Sequence, residues 1–163
     1  MATRKRVTGG CLCGAIRYEA SVAPADAHYC HCRMCQRAFG NAFATFVGFP
    51  LDKFRWVRGR PKMYQSSKIA RRGFCARCGT PLVFRNVYRD NRIGISIGSL
   101  DHPELAPPEI HWGVESIVPW LKISDRLPRK HTMEDPSVAD AWTLAKKRAR
   151  VRQRSAIQAG IRN

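Results

Sequence analysis

The sequence predicts an all-β domain over about residues 8–128, followed by a basic helix near the C-terminus. Two observations predict the domain. Between Ala15 and Ile123 the chain breaks into short runs rich in β-branched and aromatic residues, several alternating apolar with polar, and helical periodicity is almost absent. Glycine and proline punctuate those runs. A third observation predicts the helix: after Pro136, residues Val138, Ala141, Trp142 and Ala145 fall at i, i+3, i+4 and i+7, and Ala149 continues the stripe one turn on.

Taken in order, residues 1–7 read as a basic lead-in. Gly9-Gly10 and Gly14 bracket Cys11 and Cys13, so the backbone can turn tightly and aim both sulfurs at one metal. Ala15–Ala20 alternates as a half-buried strand, Val22–Ala27 reads as a loop around Pro24, and His28–Cys30 ends a second strand. Arg33–Phe39 suits a short helix stopped by Gly40. Ala42–Phe49 is a strand by composition, closed by Pro50. Phe54–Val57 and Lys62–Gln65 are strands on either side of Gly59-Arg60-Pro61. Ile69–Phe74 leads into Cys75-Ala76-Arg77-Cys78, and Leu82–Phe84 leads out, in the order of a zinc ribbon. Arg92–Ile97 alternates, Gly98–Asp101 turns, and Pro103–Pro108 is a loop. Ile110–Gly113 and Pro119–Ile123 read as short late strands. Asp135 before Pro136 suits an N-cap with proline at the first helical position, and the apolar stripe fades beyond Lys146. Residues 129–163 thus form a C-terminal extension.

The chain has 163 residues, room for one domain with a real core. No apolar run approaches the ~20 residues that span a bilayer. The N-terminus lacks the apolar core of a secretory signal, so the expected setting is cytoplasmic. There thiols stay reduced, and clustered cysteines are metal ligands before they are disulfides. Formal net charge is +17; ten Lys/Arg against three acids after Asp125 leave +7 there and +10 in residues 1–125. Such a charge attracts anions without choosing among nucleic acid, acidic metabolite and membrane surface.

All seven cysteines fall in clusters: Cys11/Cys13, Cys30/Cys32/Cys35 and Cys75/Cys78. Zinc takes a tetrahedron of thiolate or imidazole ligands. Four thiolates close one such site, and three leave a second with an open position for water or a substrate thiol. A zinc in that state is a Lewis acid that lowers the pKa of a bound thiol. The alternative is a histidine completing a second closed site, with His28, His31, His102 and His111 as candidates. On a strand His31 points opposite to its cysteine neighbours. Spacing alone does not say which clusters share a metal.

The segments G-G-C-L-C-G, C-H-C-R-M-C, F-C-A-R-C-G-T-P-L, G-S-L-D and W-L-K-I-S-D-R-L-P resemble, in this order over about residues 8–128, the glutathione-dependent formaldehyde-activating enzyme family, which includes centromere protein V. The resemblance implies a β-tent of stacked antiparallel sheets with two zinc ions per chain. It implies that Cys11, Cys13, Cys75 and Cys78 hold a structural zinc, and that Cys30, Cys32 and Cys35 hold a catalytic one. It implies a carbon–sulfur lyase of the S-(hydroxymethyl)glutathione synthase type, with a thiol such as glutathione and an aldehyde such as formaldehyde as partners. Arg33 and Arg37 flank the second site, either to attract glutathione carboxylates or as solvated surface residues. Pro136–Asn163 lies outside the resemblance. Its charge keeps a second hypothesis in view, a nucleic-acid- or chromatin-binding module with two structural zincs, and non-specific nucleic-acid contact through the tail. A protein working only through partner contacts ranks last, because no residue pattern indicates a partner.

Overall fold

The computed structural model describes residues 6–89 and 91–158, so Met1–Lys5 of the basic lead-in and the last five residues of the extension lie outside the described residues. In chain order the elements are β1 (Val7–Gly10), β2 (Arg17–Ala20), β3 (Ala25–Cys30), α1 (Arg33–Phe39), β4 (Ala44–Pro50), β5 (Phe54–Arg58), β6 (Lys62–Ser67) and β7 (Ala70–Phe74). They continue with β8 (Pro81–Asn86), β9 (Arg92–Ser96), β10 (Ile110–Trp112), β11 (Arg129–Lys130) and α2 (Pro136–Gln158). β1, β2 and β5 make a small antiparallel sheet in the order β1-β2-β5. The other eight make a large sheet in the order β11-β10-β3-β4-β9-β8-β7-β6. The described residues are therefore mostly β with two α-helices. No helix among the described residues is long and apolar enough to cross a membrane.

The core lies between the sheets. Tyr18 and Ala20 of the small sheet meet Val47, Phe49, Val83, Ile93 and Ile95 of the large one, with Phe54 and Trp56 packed alongside. Phe49, Leu82 and Ile95 are fully buried; each such side chain contributes about 1.5–3 kcal/mol by leaving water. The Tyr18 hydroxyl is satisfied by Ser99 Oγ at 2.8 Å, as a buried phenol requires. The other face of the large sheet is covered as well. Phe46 points outward there, against Phe39 of α1 and Phe84 of β8. Phe46 and Val47 are both buried because neighbouring positions on a strand face opposite sides and each side has a cover.

The expected short helix spans Arg33–Phe39 and ends at Gly40 in the left-handed conformation. The C-terminal helix starts at Pro136, where Asp135 Oδ1 accepts a hydrogen bond from the Ser137 amide at 2.8 Å. Ala141 and Ala145 bury themselves on Ile69 and Ala70, with Val138, Trp142, Phe84 and Tyr88 around them. From Lys146 to Ser155 every side chain is exposed, and the helix continues to Gln158.

Three expectations are corrected. The large sheet is mixed, because β10 pairs parallel with both β3 and β11. Pro119–Ile123 is not a strand: the edge beside β10 is taken by Arg129–Lys130, with His111 N donating to Pro128 O and Gly113 N to Lys130 O. That leaves Pro119–Ile123 no ladder to join. Lastly, β3 begins at Ala25, inside the segment read as a loop; a bulge between Ala25 and His28, with Asp26 at φ 57°, lets the strand start directly after Pro24.

Candidate metal centres and the cleft beside them

The fold brings the cysteines into two groups. Cys11 and Cys13 lie in the turn after β1, and Cys75 and Cys78 in the turn joining β7 to β8. All four sulfurs lie within 4.8 Å of one another. Cys11 Sγ is 3.6 Å from Cys13 Sγ, which is 3.9 Å from Cys75 Sγ. A zinc–sulfur distance of about 2.3 Å puts tetrahedral sulfurs about 3.8 Å apart, so this donor set fits zinc. Thr80 ties the two turns together: its hydroxyl accepts from the Leu12 amide at 3.1 Å and lies 3.1 Å from Cys78 Sγ. The Ile16 amide donates to Cys11 Sγ at 3.2 Å. Hydrogen bonds from the Thr80 hydroxyl and amide pull the Cys78 thiol down to about 5. Amide and hydroxyl donors aimed at sulfur favour thiolates, the form that binds metal.

The second group is local. Cys30 ends β3, Cys32 caps α1 and Cys35 sits in its first turn. Cys30 Sγ is 3.5 Å from Cys32 Sγ and 3.2 Å from Cys35 Sγ. The two neighbouring thiols donate to Cys32 and hold its pKa far below the usual thiol range. The same contacts push Cys30 well above that range. Three crowded thiols thus release one proton readily and the next reluctantly, until a cation takes the protons' place. Three soft donors on one side suit zinc with a fourth position left over. Among the described residues no histidine or carboxylate joins either cluster.

His31 turns away from the sulfurs, as strand alternation requires. It is fully buried on the other side, with Nε2 2.8 Å from His111 Nδ1, and His111 Nε2 lies 2.9 Å from Asp125 Oδ2. Burial, with His111 beside it, pushes its pKa down to about 4. The chain from Asp125 to His31, and the His31 amide donating to Trp112 O at 2.8 Å, bind β10 and the 125–130 segment to the end of β3. His28 and His102 bond locally, to Asp26 O and Glu104.

Cys30, Cys32 and Cys35 open into a cleft of about 540 Å³ on the outer face of the large sheet. Phe46, Phe84 and Trp112 supply its apolar lining; Arg72, Arg89 and Arg92 bring positive charge. Arg92 pairs with Asp26. Thr132 and Asp135–Val138 form part of its wall, anchored by Asn86 Nδ2 donating to Ser137 O at 3.1 Å. The larger groove, about 750 Å³ and lined by Trp56, Arg60 and Arg71, holds no cysteine. Arg33 and Arg37 are exposed and line neither space; Arg33 instead bonds Gln36. The cleft arginines and the wall from the extension escape a reading by motif. Alternation along β7 was the one signal for Arg72: of Arg71 and Arg72, a single residue can face the cleft side.

The fold and its thiol clusters define a small, mostly β protein built around two cysteine sites able to hold metal. The chain belongs to the glutathione-dependent formaldehyde-activating enzyme family, whose model matches residues 6–116. An uncharacterized lyase of Schizosaccharomyces pombe is 34% identical over 76 residues, 47% of this chain and 55% of that protein. The chain thus spans about half the length of this curated relative. A crystal structure of a Rhodobacter sphaeroides protein is 24% identical with a TM-score of 0.48, over 75% of this chain and 98% of that one.

Proposed function

We propose that this protein is a zinc-dependent carbon–sulfur lyase acting on a thiol–aldehyde adduct, with S-(hydroxymethyl)glutathione as the first candidate. One observation carries the reading: three thiols converge at a cleft with no fourth donor among the described residues. Family membership and the lyase named among its relatives support the same class. In this reading Cys11, Cys13, Cys75 and Cys78 hold a structural zinc that joins the turn after β1 to the β7–β8 turn. Cys30, Cys32 and Cys35 hold a second zinc and are the catalytic residues. That zinc, when bound, supplies a Lewis-acidic position that favours a substrate sulfur as thiolate. The rest falls to the chain. Phe46, Phe84 and Trp112 shield the sulfur from water, and the cleft holds thiol and aldehyde together, removing the entropy cost of their encounter. Thiolate chemistry of this kind belongs in a reducing compartment such as the cytoplasm.

The test is exchange of S-hydroxymethylglutathione followed by NMR, with zinc content measured on the same sample. A rate no higher than the uncatalysed one, with two zincs per chain present, would refute the glutathione version. A second reading concerns α2 alone. Its exposed half carries Lys146, Lys147, Arg148, Arg150, Arg152 and Arg154, a surface suited to non-specific nucleic-acid contact through phosphates. Duplex DNA binding should then weaken steeply with salt and fall when residues 146–163 are removed. Equal binding by the shortened chain would refute it.

A further inference from the structure

We propose that Arg72 forms an anion site beside Cys30, Cys32 and Cys35, and that it takes the aldehyde oxygen as that oxygen becomes an alkoxide. Arg72 sits on β7 with 4% of its surface exposed. Its Nη2 donates to Cys35 Sγ at 3.2 Å, and its guanidinium lies over the Phe84 ring, 5.2 Å from the centroid. Its Nε and Nη1 are buried without a hydrogen-bond partner among the described residues. A buried donor left unanswered is costly, and a buried cation is retained only where something answers its charge. One edge of the guanidinium already answers the thiols. The two remaining nitrogens belong to a side chain that lines the cleft together with all three cysteines. They suit a small oxygen anion that arrives with the substrate.

This role rests on the lyase reading. A substrate thiolate adds to the aldehyde carbon, so a C–S bond forms. The C=O π pair moves to oxygen, and the alkoxide takes a proton from water, which regains the proton the substrate thiol gave up on becoming a thiolate. In the reverse direction the alkoxide re-forms the carbonyl and expels the thiolate. A guanidinium stays protonated throughout, so Arg72 acts by holding negative charge and not by giving up a proton. It does so in a desolvated site, where a fixed donor counts for more than in water.

The test uses the full-length, zinc-loaded protein, Arg72→Gln and Arg72→Lys, with zinc counted and thermal unfolding recorded for each. Removing an oxyanion donor commonly lowers kcat by about 10²–10³. Arg72→Gln is expected to keep two zincs, keep KM within threefold and lose that much kcat; Arg72→Lys should recover part of it. A readout independent of turnover is formate titration of the ¹⁵N-labelled protein. Formate should move the Arg72 Nε–H resonance, identified by its loss in Arg72→Lys. Turnover by Arg72→Gln within threefold of wild type overturns the proposal. So does loss of the second zinc in both variants, which would make Arg72 a counter-charge for the thiols only. An unmoved resonance up to high formate overturns the anion site. If Arg72→Gln fails to fold, Arg72→Lys and the titration still decide. If the wild type does not accelerate exchange yet formate moves the resonance, the anion site stands and the alkoxide role falls with the lyase reading.

Discussion

The two cysteine clusters differ in how much chain their cross-links span, and that difference sets what each loses on mutation. Cys13 and Cys75 are 62 residues apart, whereas Cys30 and Cys35 are 5 apart. Treated as a covalent cross-link, a metal bridging a 62-residue loop removes about 4 kcal/mol of unfolded-state freedom at 25 °C, and one bridging 5 residues about 2 kcal/mol. For a domain of this size 1 kcal/mol moves Tm by about 4 °C. Cys75→Ser, which opens the four-thiol site, is therefore expected to lower Tm by roughly 15 °C or to unfold the domain. Cys32→Ser is expected to lower it by less than about 8 °C and to abolish turnover. The assay is thermal unfolding by circular dichroism at matched protein and free zinc, because bound metal stabilises by mass action. Zinc per chain is counted in parallel and should fall by one in each variant. Equal losses of Tm in the two variants, or a wild-type Tm for Cys75→Ser, would refute the division into a clamp and a reactive site.

Three further outcomes follow from the geometry. Gly113 has φ 74°, and a Cβ there would lie 2.7 Å from the Cys32 backbone nitrogen; Gly113→Ala is expected to displace Cys32 and lower zinc occupancy at the second site while the first stays filled, read by metal counting. Ala141 is 1% exposed against Ile69 and Ala70, so Ala141→Glu should undock α2, speed tryptic cleavage after Lys146 and raise KM, since Asp135–Val138 line the cleft. Asp101, gripped by Arg17 and Thr8, is held below its ordinary carboxylate range, first by the Arg17 hydrogen bond. A depressed carboxylate stabilises the fold above its unfolded pKa of about 4 and loses that effect as pH falls through the lower folded value. Urea midpoints should therefore drop more between pH 6 and pH 3 in the wild type than in Asp101→Asn.

Much of the molecule is legible in one dimension because its strongest signals are local. Alternation along Arg92–Ser96, the aromatic run of Ala44–Pro50 and the turn at Cys75–Cys78 each encode a strand or its end without help from the rest of the chain. The stop at Gly40 and the Asp135-Pro136 start are likewise set by φ preferences and capping within a few residues. Strand pairing is different, since it depends on which edge is free. Pro119–Ile123 has a strand-like composition but meets an edge already occupied by Arg129–Lys130.

By itself, then, the sequence determined that seven thiols sit in clusters able to bind metal, that short strands carry them, and that an amphipathic helix follows. Cysteine spacing and residue periodicity are properties of neighbours along the chain. Only the tertiary structure decided that Cys11 and Cys13 converge with Cys75 and Cys78 across 62 residues. It also decided that His31 turns from the sulfurs to His111, that Arg72 sits buried beside Cys35, and that the extension walls the cleft. Those outcomes depend on how two sheets pack and on which strand faces become enclosed, and no residue encodes that without its distant partners.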